Sequence, residues 1–198
     1  MEEMISDNLS IMHLSFLKSE KVILRPLTET DTNGNYPNWF NDADVCKGNS
    51  HHVYPYTKEQ ALNYIRSLSS NKNMLVLAII EKSSNSHIGN VSLQDINFIN
   101  RCAELAIIIG EKSFWGKGIG REAVQLLMEH GFNSLNLNRI WSGTLETNIG
   151  FQKLALSMGM KHEGTRRKAI FKNGAYLDVF EYGILRDEFE QINLKAVL

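Results

Sequence analysis

The stretch Trp115-Gly116-Lys117-Gly118-Ile119-Gly120-Arg121-Glu122-Ala123 constrains this chain more than any other. A short apolar run, Glu104 to Ile109, reads as a strand before it, and apolar residues at helical spacing follow it directly. Glycines at the alternate positions 116, 118 and 120 leave backbone N–H groups uncovered, so an anionic group can approach the main chain. A helix start adds unpaired donors and a positive dipole end, which suits a phosphate or pyrophosphate. The plainer reading of a lone glycine loop is a turn between strand and helix. The rest of the chain has to decide between the two.

With 198 residues, 43% of them hydrophobic and 22% charged, the chain fits one soluble globular domain with a substantial core. A formal net charge of -1 gives no electrostatic case for nucleic acid or an anionic membrane as a partner. Any anion site must therefore be local. Cys46 and Cys102 show neither metal-ligand spacing nor a disulfide framework, and His51-His52 has no further ligand at metal spacing, so no metal is expected. Acidic residues stand at positions 2, 3 and 7, where a secretory signal would carry bases, and no apolar core follows them. The longest aliphatic run, Met74 to Ile80, suits a buried strand and is too short to span a bilayer. The cytoplasm is the expected location.

No repeat or linker divides the chain. Residues 1–20 read as an extension of uncertain order, 21–188 as a single domain and 189–198 as a tail. Val22 to Leu27 predicts a first strand, and a short helix is expected around Tyr36 to Phe40. Thr57-Lys58-Glu59-Gln60 is a capping-box pattern opening a helix through Leu68. Met74–Glu81 and His87–Leu93 predict a hairpin across Ser83-Ser84-Asn85. Ala123, Val124, Leu127, Met128 and Gly131 give the helix after the loop one apolar face. A strand is expected from Arg139 to Leu145, then a helix from Ile149 to Met158 stopped by Gly159. Asn173-Gly174 marks a terminal hairpin. Strands on either side of two helices, closed by an antiparallel hairpin, describe an α+β (mixed α/β) sheet.

Taken together, these pieces resemble the GNAT superfamily of acyl-CoA-dependent N-acetyltransferases, most closely the branch of ribosomal-protein N-terminal (Rim-type) acetyltransferases and their amine-acetylating relatives. The resemblance covers residues 21 to about 188 and rests on order and spacing. Its pieces are Leu24-Arg25-Pro26-Leu27, Ile88-Gly89-Asn90-Val91-Ser92-Leu93, Glu104-Leu105 and Phe114 to Ala123. It continues through Asn138-Arg139-Ile140, Asn148, Met158-Gly159-Met160, Glu163-Gly164 and Tyr176-Leu177-Asp178. The resemblance implies a mostly antiparallel central sheet with helices on both faces and a splayed parallel strand pair that holds acetyl-CoA. The pantetheine arm would pair with Ala106, Ile107 and Ile108, and the pyrophosphate would sit on the amides of Lys117, Gly118, Ile119, Gly120 and Arg121, in the loop opened by Trp115-Gly116. Trp115 stands where the superfamily usually carries Arg or Gln, a departure that leaves the loop glycines in place. The loop is neither Gly-x-Gly-x-x-Gly nor a Walker sequence, since Arg121-Glu122 follows Gly120.

Acyl transfer to an amine needs a neutral nucleophile. A lysine-like amine, with a pKa of about 10.4, is unprotonated in only about one molecule in two thousand at neutral pH, which makes a base worthwhile. Glu104 matches the acidic residue that the branch carries at the start of the cofactor strand; its alternative role is a strand-edge carboxylate paired with Arg101 or Lys112. Asn148 resembles the family asparagine that bonds the pantetheine arm or a water, and could equally cap the helix from Ile149. Phe151 occupies the place of a serine proposed in the family as the acid for the leaving thiolate, so water or Asn148 would assist departure. Thiol pKa values near 8.5 make a dedicated acid less necessary. Trp39, His51, Tyr54 and Tyr176 are candidates for the acceptor wall. The acceptor class is a primary amine, on a small molecule or a protein N-terminus, and the resemblance allows a homodimer. The rival reading is a non-catalytic acyl-CoA sensor or structural module of the same fold.

Overall fold

Strand alternation gives this protein two cores on opposite faces of one sheet. A computed structural model of the chain describes residues 15–197. Its strands are β1 (Leu17–Lys18), β2 (Val22–Pro26), β3 (Leu75–Glu81), β4 (Ser86–Asn97), β5 (Cys102–Ile109), β6 (Arg139–Leu145), β7 (Lys161–Lys172) and β8 (Ala175–Leu185). The helices are α1 (Tyr36–Trp39), α2 (Lys58–Leu68), α3 (Ile119–Asn133), α4 (Ile149–Ser157) and α5 (Arg186–Val197). The sheet order is β1-β2-β3-β4-β5-β6-β8-β7, antiparallel throughout except for the β5–β6 pair. The expected fold class is the one observed.

Along β3, Leu77 and Ile79 enter the larger core with the buried face of α3, while Val76, Ala78 and Ile80 enter the smaller core with α1 and α2. The apolar stripe of α3 is the predicted one, extended by Ile119 and Phe132. The capping box at Thr57 forms in both directions: Gln60 N donates to Thr57 Oγ1 and Thr57 N donates to Gln60 Oε1. Asn173 and Gly174 both take positive φ, 52° and 82°, as a two-residue hairpin turn of the primed type requires.

Both ends of the domain depart from the expected boundaries. Residues 1–14 of the expected extension lie outside the described residues, but Leu17–Lys18 already pairs with Leu24 and Ile23. The expected tail from residue 189 is the body of α5. Phe189 is buried against Phe132, and the Arg186 guanidinium donates to the carbonyls of Phe132 and Leu137, so tertiary contacts fix a helix that local pattern did not announce.

Candidate active site

The parallel pair is short. β5 and β6 are in register only at Cys102↔Arg139, Ala103↔Ile140 and Glu104↔Trp141. Beyond that point the two strands run on without pairing to each other, to Ile109 and Leu145, and the sheet opens into a fork. A cavity of about 570 Å³ fills it, lined among others by Glu104, Ala106, Ile107, Ile108, Ser142, Thr144, Leu145, Asn148 and Phe151. The unpaired edge of β5 leaves backbone donors and acceptors available for an extended ligand.

Glu104 sits at the crotch of the fork. Its carboxyl is pushed above the ordinary glutamate value by burial first, then by the nearby Asp95 and Glu181 carboxylates. The Gly143 amide and Arg166 pull the other way. Neither structural partner considered for it is used: Arg101 bonds Asn136, and Lys112 pairs with Asp42 and Asp44. A partly desolvated carboxylate of raised pKa facing a cavity is equipped to take a proton.

Asn148 caps α4, with Oδ1 accepting from Phe151 N at 3.2 Å, while its Nδ2 donates to the Gly48 carbonyl at 3.1 Å. It therefore ties the segment around residue 48 to the fork while lining the cavity. Phe151 lines the same wall and packs on the larger core. The side chain at that position is an apolar ring with no proton to give.

The glycine loop follows β5. Gly116 and Gly118 have φ of 73° and 79°, and a Cβ at either would meet nothing within 4 Å. Such open, left-handed positions suit glycine and leave room for a ligand at the backbone. Among the described residues the amides of Lys117, Gly118, Ile119 and Gly120 donate to no carbonyl, whereas Arg121 N donates to Gly118 O at 3.1 Å. The open donor set is thus 117–120, one residue shorter than expected. Trp115 Nε1 donates to the Ile109 carbonyl at 2.8 Å and anchors the loop to the end of β5. The Cα of Gly120 faces Ile107 and Ile109, with 3.6 Å from an added Cβ to Ile107 Cδ1, which joins the loop to the cavity wall. The loop and the free edge of β5 thus fit a long ligand with an anionic end.

Of the proposed acceptor residues, His51 lines the cavity, where burial and then Lys172 push its imidazole pKa down. The other candidates fall elsewhere. Trp39 is 2% exposed and belongs to the smaller core, packed so closely on Gly110 that an added Cβ would lie 2.0 Å from Trp39 Cδ2. Tyr54 is 82% exposed, and Tyr176 packs at a tilt against Phe171 at the hairpin end, away from the cavity. Their places are taken by Tyr36, Phe40, Tyr56 and Tyr64, and by a polar row on β4, Asn90, Ser92 and Gln94. In the sequence the row alternates with Val91 and Leu93, but a polar residue in a strand pattern ordinarily signals solvent. Among the described residues no three His, Cys, Asp or Glu side chains converge as a metal site would require, and no helix is long and apolar enough to cross a membrane.

A sheet forked at its one parallel pair, with an open amide loop at the start of the following helix, defines an acyl-CoA-dependent acyltransferase fold. Residues 21–161 match the family model described as Acetyltransferase (GNAT) domain. The chain belongs to the GNAT acetyltransferase family, and acetyl-CoA is its acyl donor. It is 30% identical over 177 residues to the uncharacterized N-acetyltransferase p20 of Bacillus licheniformis, covering 87% of this chain and 97% of that one. It is also 30% identical over 135 residues to the spermidine N(1)-acetyltransferase of Vibrio cholerae, covering 68% and 78%. A solved structure of the Vibrio cholerae spermidine N-acetyltransferase in complex with CoA and spermine aligns with a TM-score of 0.80 over 87% of this chain and 99% of the other. At 24% identity that likeness speaks for the fold.

Proposed function

We propose that this acetyltransferase moves the acetyl group to a primary amine by direct attack of the amine on the thioester, with Glu104 as the base. The observation that carries the reading is the position of Glu104: a half-buried carboxylate at the crotch of the fork, lining the cavity that the free edge of β5 also lines. Ala106 to Ile108 would hold the arm of acetyl-CoA and the amides of Lys117 to Gly120 its pyrophosphate; the bound cosubstrate supplies the activated acyl group. Glu104 takes a proton from the ammonium, directly or through a water, and the freed amine forms the new C–N bond as the C–S bond breaks. The nitrogen sheds its second proton as the C–S bond breaks, to water or through water to the departing thiolate, because Phe151 offers no proton.

The acceptor is a small-molecule amine or a protein N-terminus, and the likeness to ribosomal-protein acetyltransferases in the sequence supports keeping both. Thiol release from acetyl-CoA, followed across a panel of amines, tests the reading. Amine-dependent release is expected. Saturable acetyl-CoA binding without release for any amine would instead support a non-catalytic acyl-CoA module.

A further inference from the structure

The acceptor side of the cavity presents buried donors that no group among the described residues uses. On β4, Asn90 is 7% exposed and Ser92 5%, and both line the cavity beside Ile108 and Ala106, their register partners on β5. Ser92 Oγ accepts from Gln94 Nε2 at 2.9 Å, which leaves its hydroxyl hydrogen without an acceptor among the described residues. The orientation of Asn90 is set from behind. His87 Nε2 lies 3.0 Å from the Gly89 carbonyl, which can only accept, so that nitrogen carries a hydrogen. Asn90 Oδ1, 2.9 Å from the same nitrogen, must then face the ring, and the Asn90 amide group turns outward. Behind the ring, His87 Nδ1 is 3.4 Å from Asp31, which Arg25 grips with two bonds of 2.6 and 2.8 Å. Trp39 and Tyr36 pack on the ring at centroid distances of 4.9 and 5.9 Å and prevent its rotation. The whole chain of contacts aims one N–H group at the cavity.

Resting on acetyl transfer to an amine, the geometry points to Asn90 as a specificity residue that reads an oxygen beside the acceptor's amine. The acceptor class is a primary amine with a carbonyl or hydroxyl oxygen close by, as in an aminoacyl group or an amino sugar. A buried donor gains by meeting such an oxygen and loses by meeting a second ammonium, which offers only donors. The charge lining agrees. Glu104 is the only carboxylate among the described lining residues, and Glu181 is paired with Arg166 on the same wall, whereas a polyamine would bring several cations into a half-enclosed space. Tyr36, Phe40, His51, Tyr56 and Tyr64 form an aromatic end that accommodates an apolar body attached to the amine.

Steady-state kinetics with an aminoacyl amide, glucosamine and 1,5-diaminopentane test this on the full chain, against Asn90→Asp and Asn90→Ala. The wild type should prefer one or both oxygen-bearing amines over the diamine by about tenfold or more in kcat/KM, and which one leads separates the two sources. Asn90→Asp keeps the shape, removes the donor and adds a carboxylate. It should lower kcat/KM for the preferred amine by about tenfold, chiefly through KM, and raise it for the diamine. Asn90→Ala should lose the preference without the gain, and an unchanged melting shift with acetyl-CoA will show that both variants are folded. A wild-type preference for the diamine, or equal losses for both classes in the variants, overturns the inference while leaving amine acetylation intact. Absence of turnover with every amine overturns both.

Discussion

Gly118→Asp separates the anion-binding role of the loop from its role as a turn. Gly118 sits at φ 79° immediately before α3, and a Cβ there would touch nothing within 4 Å. The cost to the fold is therefore backbone strain alone, about 1–2 kcal/mol and less for Asp than for a branched residue. The cost to the ligand is larger. A carboxylate about 5 Å from one phosphate charge, at an effective dielectric of about 20, is repelled by about 3 kcal/mol, or two decades in dissociation constant. At a ligand concentration of about a hundred times the wild-type Kd, acetyl-CoA stabilises the wild type by about 2.7 kcal/mol, and a variant weakened about a hundredfold by only about 0.4 kcal/mol. For a chain of 198 residues this takes the melting shift from about 5–11 °C down to about 1–2 °C. Thermal melts with and without acetyl-CoA measure it, and Gly118→Ala carries the strain without the charge. A full shift retained in Gly118→Asp would refute pyrophosphate binding at this loop; equal loss in Gly118→Ala would show that backbone shape, not charge, decides.

Glu104→Gln should lower turnover by about a hundredfold or more at neutral pH, with the deficit shrinking as pH rises and the amine deprotonates unaided; unchanged turnover would make Glu104 structural. Because the Glu104 pKa is raised in the folded state, its ionisation costs stability as pH rises, so the same variant should melt higher than wild type at neutral pH. That gain should vanish below about pH 4, where the carboxyl is protonated folded and unfolded alike. Phe151→Ser restores a hydroxyl near the thiolate, and little gain in turnover is expected; a rise of about tenfold would show that leaving-group protonation limits the enzyme. Asp31→Asn breaks a buried bidentate pair and should destabilise the fold by about 3–5 kcal/mol in denaturant titrations. Burial alone would raise the Asp31 pKa, but the hydrogen bonds from Arg25 and His87 hold it well below the usual range. Its contribution is therefore present above the ordinary aspartate value and is lost only as pH falls through the lowered one.

Local signals in this sequence were the ones that local physics controls. The left-handed turn at Asn173-Gly174, the capping box at Thr57, the stripe of α3 and the glycines at 116 and 118 each depend on residues within a few positions of one another. Hence the glycine loop and the strand before it could be read from the chain, whereas Glu104 was singled out by the resemblance. The wall of the cavity could not. Trp39 and Tyr36 are both aromatic, sit on one helix turn and are buried in the smaller core, yet Trp39 packs against Gly110 while Tyr36 also reaches the cavity. Nothing local marks Asn90 and Ser92 as buried, and only the elements packed on that face of the sheet, α1 and α2 among them, make them buried donors. The Gly89 carbonyl sets the hydrogen on His87 that orients Asn90, while Asp31, gripped by Arg25, and the rings of Tyr36 and Trp39 hold the imidazole from other stretches of chain. Sequence determined the loop that can hold an anion because backbone conformation is set locally. The acceptor wall was decided by which elements meet across the sheet, and that is a property of the tertiary structure alone.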